Sequence, residues 1–277
     1  MNTQKNNDIF PVTRIISGII IPFLLLAFYI LFLFPETSGE RFAWEIKPAM
    51  MAIFMGAGYI AGAYFFLNVV VSRAWHRVAI VFPAITAFTI SMLLATLIHW
   101  ERFDIRHLPF QAWLVLYIIS PFLVFGLWQY NRQTDPITLQ AGDIIVPNTI
   151  RLAIRVIGAV LALTTIAGFL APNLLIQIWP WELTLLTARV LSGWISLLGF
   201  GSLYLSTELR WSSWRIVLET IGIWEILTLI GGFIHAQDLK AGWLNWLFVL
   251  ILLQLISMVI LYFNMELHRR NQLRKTK

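Results

Sequence analysis

Eight long apolar stretches constrain this chain more than any other feature. Each holds about 20 mostly apolar residues, the length that a helix needs to cross the hydrocarbon core of a bilayer. They cover residues 15–34, 49–71, 78–98, 110–128, 152–170, 183–205, 214–234 and 244–263. Hydrophobic residues make up 59% of the 277 positions and charged residues only 12%, which is far from the composition of a soluble domain. We therefore expect an all-α integral membrane protein with eight transmembrane helices.

Lysine and arginine are unevenly distributed over the connections, and this bias predicts the orientation. With a cytoplasmic N-terminus, fourteen Lys and Arg residues fall on the cytoplasmic side and five on the other, with Arg189 inside a predicted span. We expect both termini in the cytoplasm and a basic cytoplasmic tail over residues 266–277. The net charge of +6 then reflects orientation, and no nucleic acid is expected as a partner because no basic face belongs to a soluble fold.

A shift of 137 residues, without a gap, superposes one half of the chain on the other. It aligns Pro35 with Pro172, Trp44 with Trp181, Glu45 with Glu182, Gly56 with Gly193 and Gly62 with Gly199. We predict two parallel four-helix repeats, residues 14–130 and 151–265, joined by a cytoplasmic linker, residues 131–150. A pseudo-twofold axis along the membrane normal follows, and a functional site is expected between the halves.

The charges inside the predicted spans all lie in the second half. Glu219 has Arg215 four residues earlier as a local partner. A charge at the bilayer centre costs about 2.5–3.5 kcal/mol on insertion scales, so the other two charges need partners. The helical rise places Arg189 and Glu225 at nearly the same depth, which predicts an ion pair between them, either a structural clasp or a substrate or proton site. Glu182, seven residues before Arg189, is the alternative partner.

Several other polar residues are candidates for a substrate, proton or metal site. Glu45 and Glu182 occupy repeat-related turns, where they either complement the start of the next helix or form a paired ligand site. Thr89 is the approximate repeat counterpart of Glu225 and belongs to a polar stripe in the third span. His99 and His235 end the third and seventh spans, where they either hold one metal ion or haem together or make ordinary hydrogen bonds. No cofactor is predicted.

Glycine and tryptophan have structural explanations in the pattern. Gly58 and Gly62 have the G-x-x-x-G spacing that is typical of closely packed membrane helices. Eleven of the 13 tryptophans lie at predicted span ends, as in the aromatic belts of the membrane interface. Only Trp194 and Trp224 lie deep, either as core residues or as a stacking surface for a planar ligand.

One segment of the sequence is similar to a segment found in other proteins. Residues 42–66, FAWEIKPAMMAIFMGAGYIAGAYFF, contain a W-x-I-x-P pattern followed by many small residues. This resembles the second span of uncharacterised bacterial multi-pass membrane proteins. The resemblance implies a bacterial inner (cell) membrane and brings no activity, ligand or catalytic residue with it.

The motifs leave three function classes open. The sequence has no G-x-x-x-x-G-K, H-E-x-x-H or G-x-S-x-G motif and no cysteine, so no catalytic residue is predicted and a non-enzyme is favoured. Duplication with buried charge in one half favours permeation of a small solute or ion through a site between the repeats. The alternatives are a non-catalytic membrane subunit or assembly factor with a membrane protein partner, and, third, a membrane enzyme acting on a lipid or quinone. Membrane lipids are partners in every case.

Overall fold

The chain folds into a bundle of long apolar helices. The computed structural model describes residues 6–140, 142–240 and 244–275. Over these residues eight helices are long and apolar enough to cross a membrane, and extended structure is limited to two isolated bridge pairs. The all-helical class and the number of spanning helices are therefore confirmed.

Six α-helices precede residue 132 and five follow residue 147. The first six are α1 (Pro11–Phe28), which continues as a π-helical turn (Tyr29–Leu33), α2 (Ser38–Arg41), α3 (Ala49–Val71), α4 (His76–Ala79), α5 (Phe82–Ile98) and α6 (Leu108–Asn131). The others are α7 (Asn148–Leu170), α8 (Pro172–Ile178), α9 (Leu185–Leu205), α10 (Trp211–Ile234) and α11 (Leu244–Lys275). The predicted tail, residues 266–277, continues α11 to Lys275, and its last two residues lie outside the described part.

Proline and threonine residues explain where some of the helices begin. Pro83 lies within the third spanning segment, His76–Ile98, in the first turn of α5 and after the short helix α4. A proline at this position removes no helical hydrogen bond. Pro22 and Pro121 do lie inside α1 and α6. Thr184 caps α9 by accepting a hydrogen bond from the backbone N–H of Thr187 at 3.1 Å, which satisfies one of the free donors at the helix start.

The first described residues and the end of α11 lie at one face of the bundle, here called the terminal face. Asn7 bonds Thr134 and Trp75 through backbone hydrogen bonds of 2.9 and 2.7 Å, which joins the N-terminal segment to the α6–α7 connection and to the turn after α3. Trp211 donates its indole N–H to Glu266 near the end of α11 at 3.0 Å. The other set of connections, residues 34–48, 99–107, 171–184 and 235–240, forms the opposite face.

Two helices form the centre of the bundle. Helices α3 and α9 are the most buried of the spanning helices. Helix α1 packs on α3 and α7 packs on α9, whereas α5 packs on α9 and α10 packs on α3. Helices α6 and α11 are added outside α5 and α10. Each half of the chain therefore packs its third long helix against the second long helix of the other half.

Six tryptophans that were expected in interfacial belts are buried inside the protein. They are Trp44, Trp75, Trp113, Trp181, Trp211 and Trp214. The prediction is wrong for these residues because the connections fold back over the helix ends, so a position at the end of a span is still enclosed by protein. Trp243 and the side chain of Trp246 lie outside the described residues.

Candidate functional site

Arg189 does not form the predicted ion pair with Glu225. Its Nε donates to the carbonyl oxygen of Phe169 at 3.1 Å, and its Nη1 donates to Nε2 of His99 at 2.8 Å. The alternative partner, Glu182, is 76% exposed and lies 3.5 Å from Nζ of Lys240. The prediction was based only on the depth of the two residues in the membrane. Arg189 projects toward α5 and α7, whereas Glu225 lies on α10, which packs on α3 and α11.

His99 and His235 bind different partners. Arginine has only donors, so Nε2 of His99 must accept the hydrogen bond from Arg189, which requires the neutral ring. Burial and the nearby Arg189 charge both lower the pKa of His99. His235 places Nδ1 3.9 Å from Oδ2 of Asp238. No group of three His, Cys, Asp or Glu residues suited to a metal ion occurs within residues 6–140, 142–240 and 244–275.

The remaining acidic candidates lie at the opposite face. Glu45 is exposed and lies 2.7 Å from Nζ of Lys47, so it belongs to a surface ion pair. Glu182 lines an open depression that also contains Glu36 and Asp238. Asp238 accepts a hydrogen bond of 2.9 Å from the backbone N–H of Met50 in the first turn of α3, a favourable position for a negative charge.

Glu225 and Thr228 lie one helical turn apart on α10 and are both buried, with 8% and 2% of their surface exposed. Oε2 of Glu225 and Oγ1 of Thr228 have no hydrogen-bond partner in the described structure. Buried polar groups nearly always have a partner in folded proteins. This pair is therefore an exception that calls for a ligand or for a neutral carboxyl group.

Glu219 has more partners than the single one predicted. It accepts hydrogen bonds from the hydroxyls of Tyr64 at 2.6 Å and Tyr262 at 2.7 Å. Arg215 is 4.0 Å away and lies closer to Glu266, at 3.2 Å. The carboxylate therefore connects α3, α10 and α11 near the terminal face.

A buried ion pair at the terminal face has no counterpart in the sequence predictions. Arg210 donates to both carboxylate oxygens of Asp135 at 2.7 and 2.9 Å and also bonds Glu208. Burial works to raise the pKa of Asp135, but the hydrogen bonds from Arg210 and from the backbone of Ile137 outweigh it, so the pKa is lowered. The acidic residue and the arginine are 75 positions apart, and nothing in their local sequence indicates the contact.

A second terminal-face cluster resembles a catalytic triad in composition only. Nε2 of His76 lies 2.8 Å from Oγ of Ser212, and Nδ1 lies 2.6 Å from the side-chain amide of Asn7. The backbone N–H of His76 donates to Oδ1 of Asn7, so the NH₂ group of Asn7 faces the ring and Nδ1 must accept. Nε2 then carries the hydrogen and donates to Ser212, which itself donates to Asp143. A nucleophilic serine needs the reverse arrangement, so this cluster holds the connections together.

An apolar cavity of about 260 Å³ lies among the spanning helices. It lies between α1, α3, α5 and α6 and is closed on the inner side by Trp194 and Leu197 of α9. Along α6 it is lined from Pro109 to Val124, a length of about 22 Å at a rise of about 1.5 Å per residue. The cavity therefore extends from the opposite face to beyond the middle of the bundle.

The cavity has few polar groups. Near its middle the hydroxyls of Tyr59 and Tyr117 bond each other at 3.1 Å, which uses one of their two O–H donors. Thr89 donates to the carbonyl oxygen of Thr86 at 3.0 Å. At its end near the opposite face lies Arg41, the one charged side chain in the lining.

The walls depend on close helix contacts that the small residues of α3 permit. Gly58 lies directly against the indole ring of Trp194, where an added Cβ has no room, and Gly62 lies beside Leu24 of α1. The G-x-x-x-G spacing predicted helix contact, but the ring that fills the contact comes from the other half of the chain. Trp224 completes this layer, 5.3 Å from Trp194 between ring centroids, and donates its N–H to the carbonyl oxygen of Phe54 at 3.0 Å.

Comparison of the chain with protein-family models, with curated proteins and with solved structures gave no match. The apolar cavity and the buried polar groups are therefore the features of this protein that indicate a function.

Proposed function

We propose that this multi-pass membrane protein binds an amphiphile from the bilayer and takes one of its hydrocarbon chains into the apolar cavity. The observation that supports this is the cavity itself, about 260 Å³ in volume and lined along about 22 Å of α6 by apolar side chains. A narrow apolar space of this length suits an extended hydrocarbon chain. Because the chain moves from one apolar environment to another, its entry is favoured by close packing against the cavity wall and not by the hydrophobic effect. This is a binding function, and it differs from the third alternative, a membrane enzyme acting on a lipid or quinone, because it includes no reaction.

Arg41 favours a negatively charged headgroup. Its guanidinium carbon lies 5.4 Å from the ring centroid of Phe34, and among the described residues it forms no ion pair. Arginine binds carboxylate and phosphate oxygens through two parallel hydrogen bonds. With the terminal face in the cytoplasm, as the distribution of Lys and Arg predicts, the headgroup would come from the outer leaflet of a bacterial inner membrane.

The proposed architecture is a pair of four-helix repeats, residues 14–130 and 151–265. Its support is the matched packing of α1 on α3 with α7 on α9, and of α5 on α9 with α10 on α3. Gly62 lies against Leu24, and Gly199 lies against the backbone of Leu161 and Ala162, so this contact recurs after the same shift. Under this proposal the cavity belongs mainly to the first repeat and receives Trp194 and Leu197 from the second.

A photoactivatable, single-chain phosphate amphiphile tests the proposal. We expect it to label residues of the cavity wall, and we expect the variant Ala112→Trp, which fills the cavity from α6, to abolish that labelling. Ile118→Trp is the matched control, because Ile118 is exposed on the same helix and does not line the cavity. Equal labelling of both variants would contradict the proposal. Arg41→Gln should reduce labelling by the phosphate probe and leave that by a choline analogue unchanged.

Permeation of a small solute or ion is the second candidate. It is favoured by Glu225 and Thr228, whose buried polar atoms lack partners inside a spanning helix. Flux across proteoliposomes, compared between the protein and its Glu225→Gln variant over a broad panel of solutes and ions, tests it. An equal flux in both preparations and in empty vesicles would exclude this candidate, and a stoichiometric co-purified protein would favour the non-catalytic subunit instead.

A further inference from the structure

We infer that Glu225 and Thr228 form a proton-binding site inside the membrane, in which the Glu225 carboxyl group is protonated and neutral. The inference is independent of the amphiphile cavity, since neither residue lines it. If the protein is a permeation protein, the second candidate above, this site identifies a proton as the ion that it binds. A protonated carboxyl group does not, however, require that protons flow through the protein.

Thr228 differs from nearly all other hydroxyl residues of the spanning helices. Serine and threonine in such helices usually donate to a carbonyl oxygen of the preceding turn. Here this applies to Thr86, Ser91, Thr96, Thr164, Thr165, Ser192, Thr220 and Ser257. Oγ1 of Thr228 makes no such bond although it is fully enclosed. Its hydroxyl therefore remains available to a ligand of the site.

The helices packed on α10 bring no charge to the depth of Glu225. Residues 247–261 of α11 contain no ionisable side chain. Helix α3 contains only Tyr59 and Tyr64, whose hydroxyls bond Tyr117 and Glu219. Helix α4 carries His76 and Arg77 at the terminal face.

On α10 itself the ionisable neighbours of Glu225 lie toward the terminal face, and His235, which follows the other end of α10, lies 3.9 Å from Asp238. Glu219 is six residues away and is bound by two tyrosines. Arg215 is ten residues away, about 15 Å along the helix at about 1.5 Å per residue, and it lies 3.2 Å from Glu266. Arg189 of α9 is bound to His99 and Phe169, and Arg155 near the start of α7 donates to the hydroxyl of Ser206. No cation is thus available to balance a Glu225 carboxylate in the described structure.

The lack of a counter-charge among the described residues favours the neutral form of the Glu225 carboxyl group. An ionised carboxylate that is removed from water and left without a partner costs several kcal/mol. Adding a proton removes the charge and turns the group into a donor as well as an acceptor. A neutral acid and a hydroxyl on adjacent turns can share a proton or hold a single water molecule between them. The site therefore binds a proton and remains neutral when occupied.

Infrared difference spectroscopy of the purified protein in lipid tests the inference. We expect the carbonyl stretching band of a protonated carboxylic acid near neutral pH, with a small shift in D₂O. The band should be lost in Glu225→Gln and retained in Glu219→Gln, the control on the same helix. Absence of the band from the unmodified protein, or its persistence in Glu225→Gln, would overturn the inference. Thr228→Val should shift the band, and an unshifted band would remove Thr228 from the site.

A labelling experiment on the unmodified protein covers the case in which Glu225→Gln does not fold. Dicyclohexylcarbodiimide is an apolar reagent that modifies protonated carboxyl groups in apolar surroundings. We expect it to label Glu225 more rapidly than Glu219, and more rapidly at acidic than at alkaline pH, as measured by mass spectrometry of peptides. No label on Glu225 under conditions that label another carboxyl of the chain would contradict the inference.

Discussion

Arg189 donates a hydrogen bond of 2.8 Å to Nε2 of His99, a residue 90 positions earlier in the chain. The bond links α9 to the end of α5 near the opposite face, and a second bond from Arg189 reaches Phe169 at the end of α7. The arginine therefore connects the two helices that pack on α9. A charge that looked isolated in the sequence has neutral acceptors on both neighbouring helices.

The Arg189–His99 contact predicts a stability that depends on pH. Burial and Arg189 lower the pKa of His99 below its ordinary value of 6.5, so the unfolded chain binds a proton more readily than the folded one. Stability from this group is thus fully present above the ordinary pKa and is lost as the pH falls below it. We expect the thermal midpoint to fall on acidification from about pH 8 to about pH 5, a range that brackets the histidine pKa.

The variant His99→Gln is the control for this effect. The amide oxygen of glutamine can accept the hydrogen bond from Arg189 but does not titrate. The acid-induced loss should be smaller in this variant than in the unmodified protein. An identical loss in both proteins would show that other groups cause it.

Gly58→Ala should destabilise the protein. An added Cβ meets the ring of Trp194, and overpacking of this kind costs roughly 1–3 kcal/mol. The matched control is Gly126→Ala in α6, where nothing lies within 4 Å of the added Cβ and where helix propensity favours alanine by roughly 0.5–1 kcal/mol. Unfolding free energies in the same detergent should move in opposite directions for the two variants, and equal values would contradict the close contact.

Asp135→Asn should weaken the terminal face. It removes the bidentate partner of the buried Arg210, and loss of hydrogen bonds to a charged group costs roughly 1.5–3 kcal/mol. Glu208 still binds Arg210, so the protein should fold with a lower unfolding free energy. Because the pKa of Asp135 is lowered, its contribution is present above the ordinary aspartate pKa and disappears as the pH falls through the folded value. Denaturation at several pH values, with Asp8→Asn as an exposed control, measures both effects.

The two tyrosines on Glu219 should be energetically coupled. Tyr64→Phe and Tyr262→Phe each remove one hydrogen bond to the same carboxylate, at a cost of roughly 1.5–3 kcal/mol for a bond to a charged group. Groups that share one partner are not additive, so the double variant should differ measurably from the sum of the two single variants. Unfolding free energies of the four proteins form the double-mutant cycle. Strict additivity would show that the tyrosines act separately.

The approximate positions of the spanning helices followed from length and apolarity, because a bilayer admits a helix of only one range of lengths. The predicted Arg189–Glu225 ion pair is wrong, because the helical rise gives only the depth of each residue in the membrane. It does not indicate which neighbour each helix packs against. The apolar cavity was not predicted, since its wall combines four helices of the first half with Trp194 and Leu197 of the second.

The sequence by itself determined that this chain is an all-helical membrane protein with eight spanning segments, since each segment must bury its backbone polar groups in its own hydrogen bonds. Only the tertiary structure decided the partners. Helix α10 packs against α3, and helix α5 packs against α9. Arg189 therefore bonds His99, and Glu225 has no counter-charge among the described residues. The reason is that apolar side chains favour insertion of a helix into the membrane but do not select the face that contacts a neighbouring helix. The contacts between helices depend on shape and on particular polar atoms.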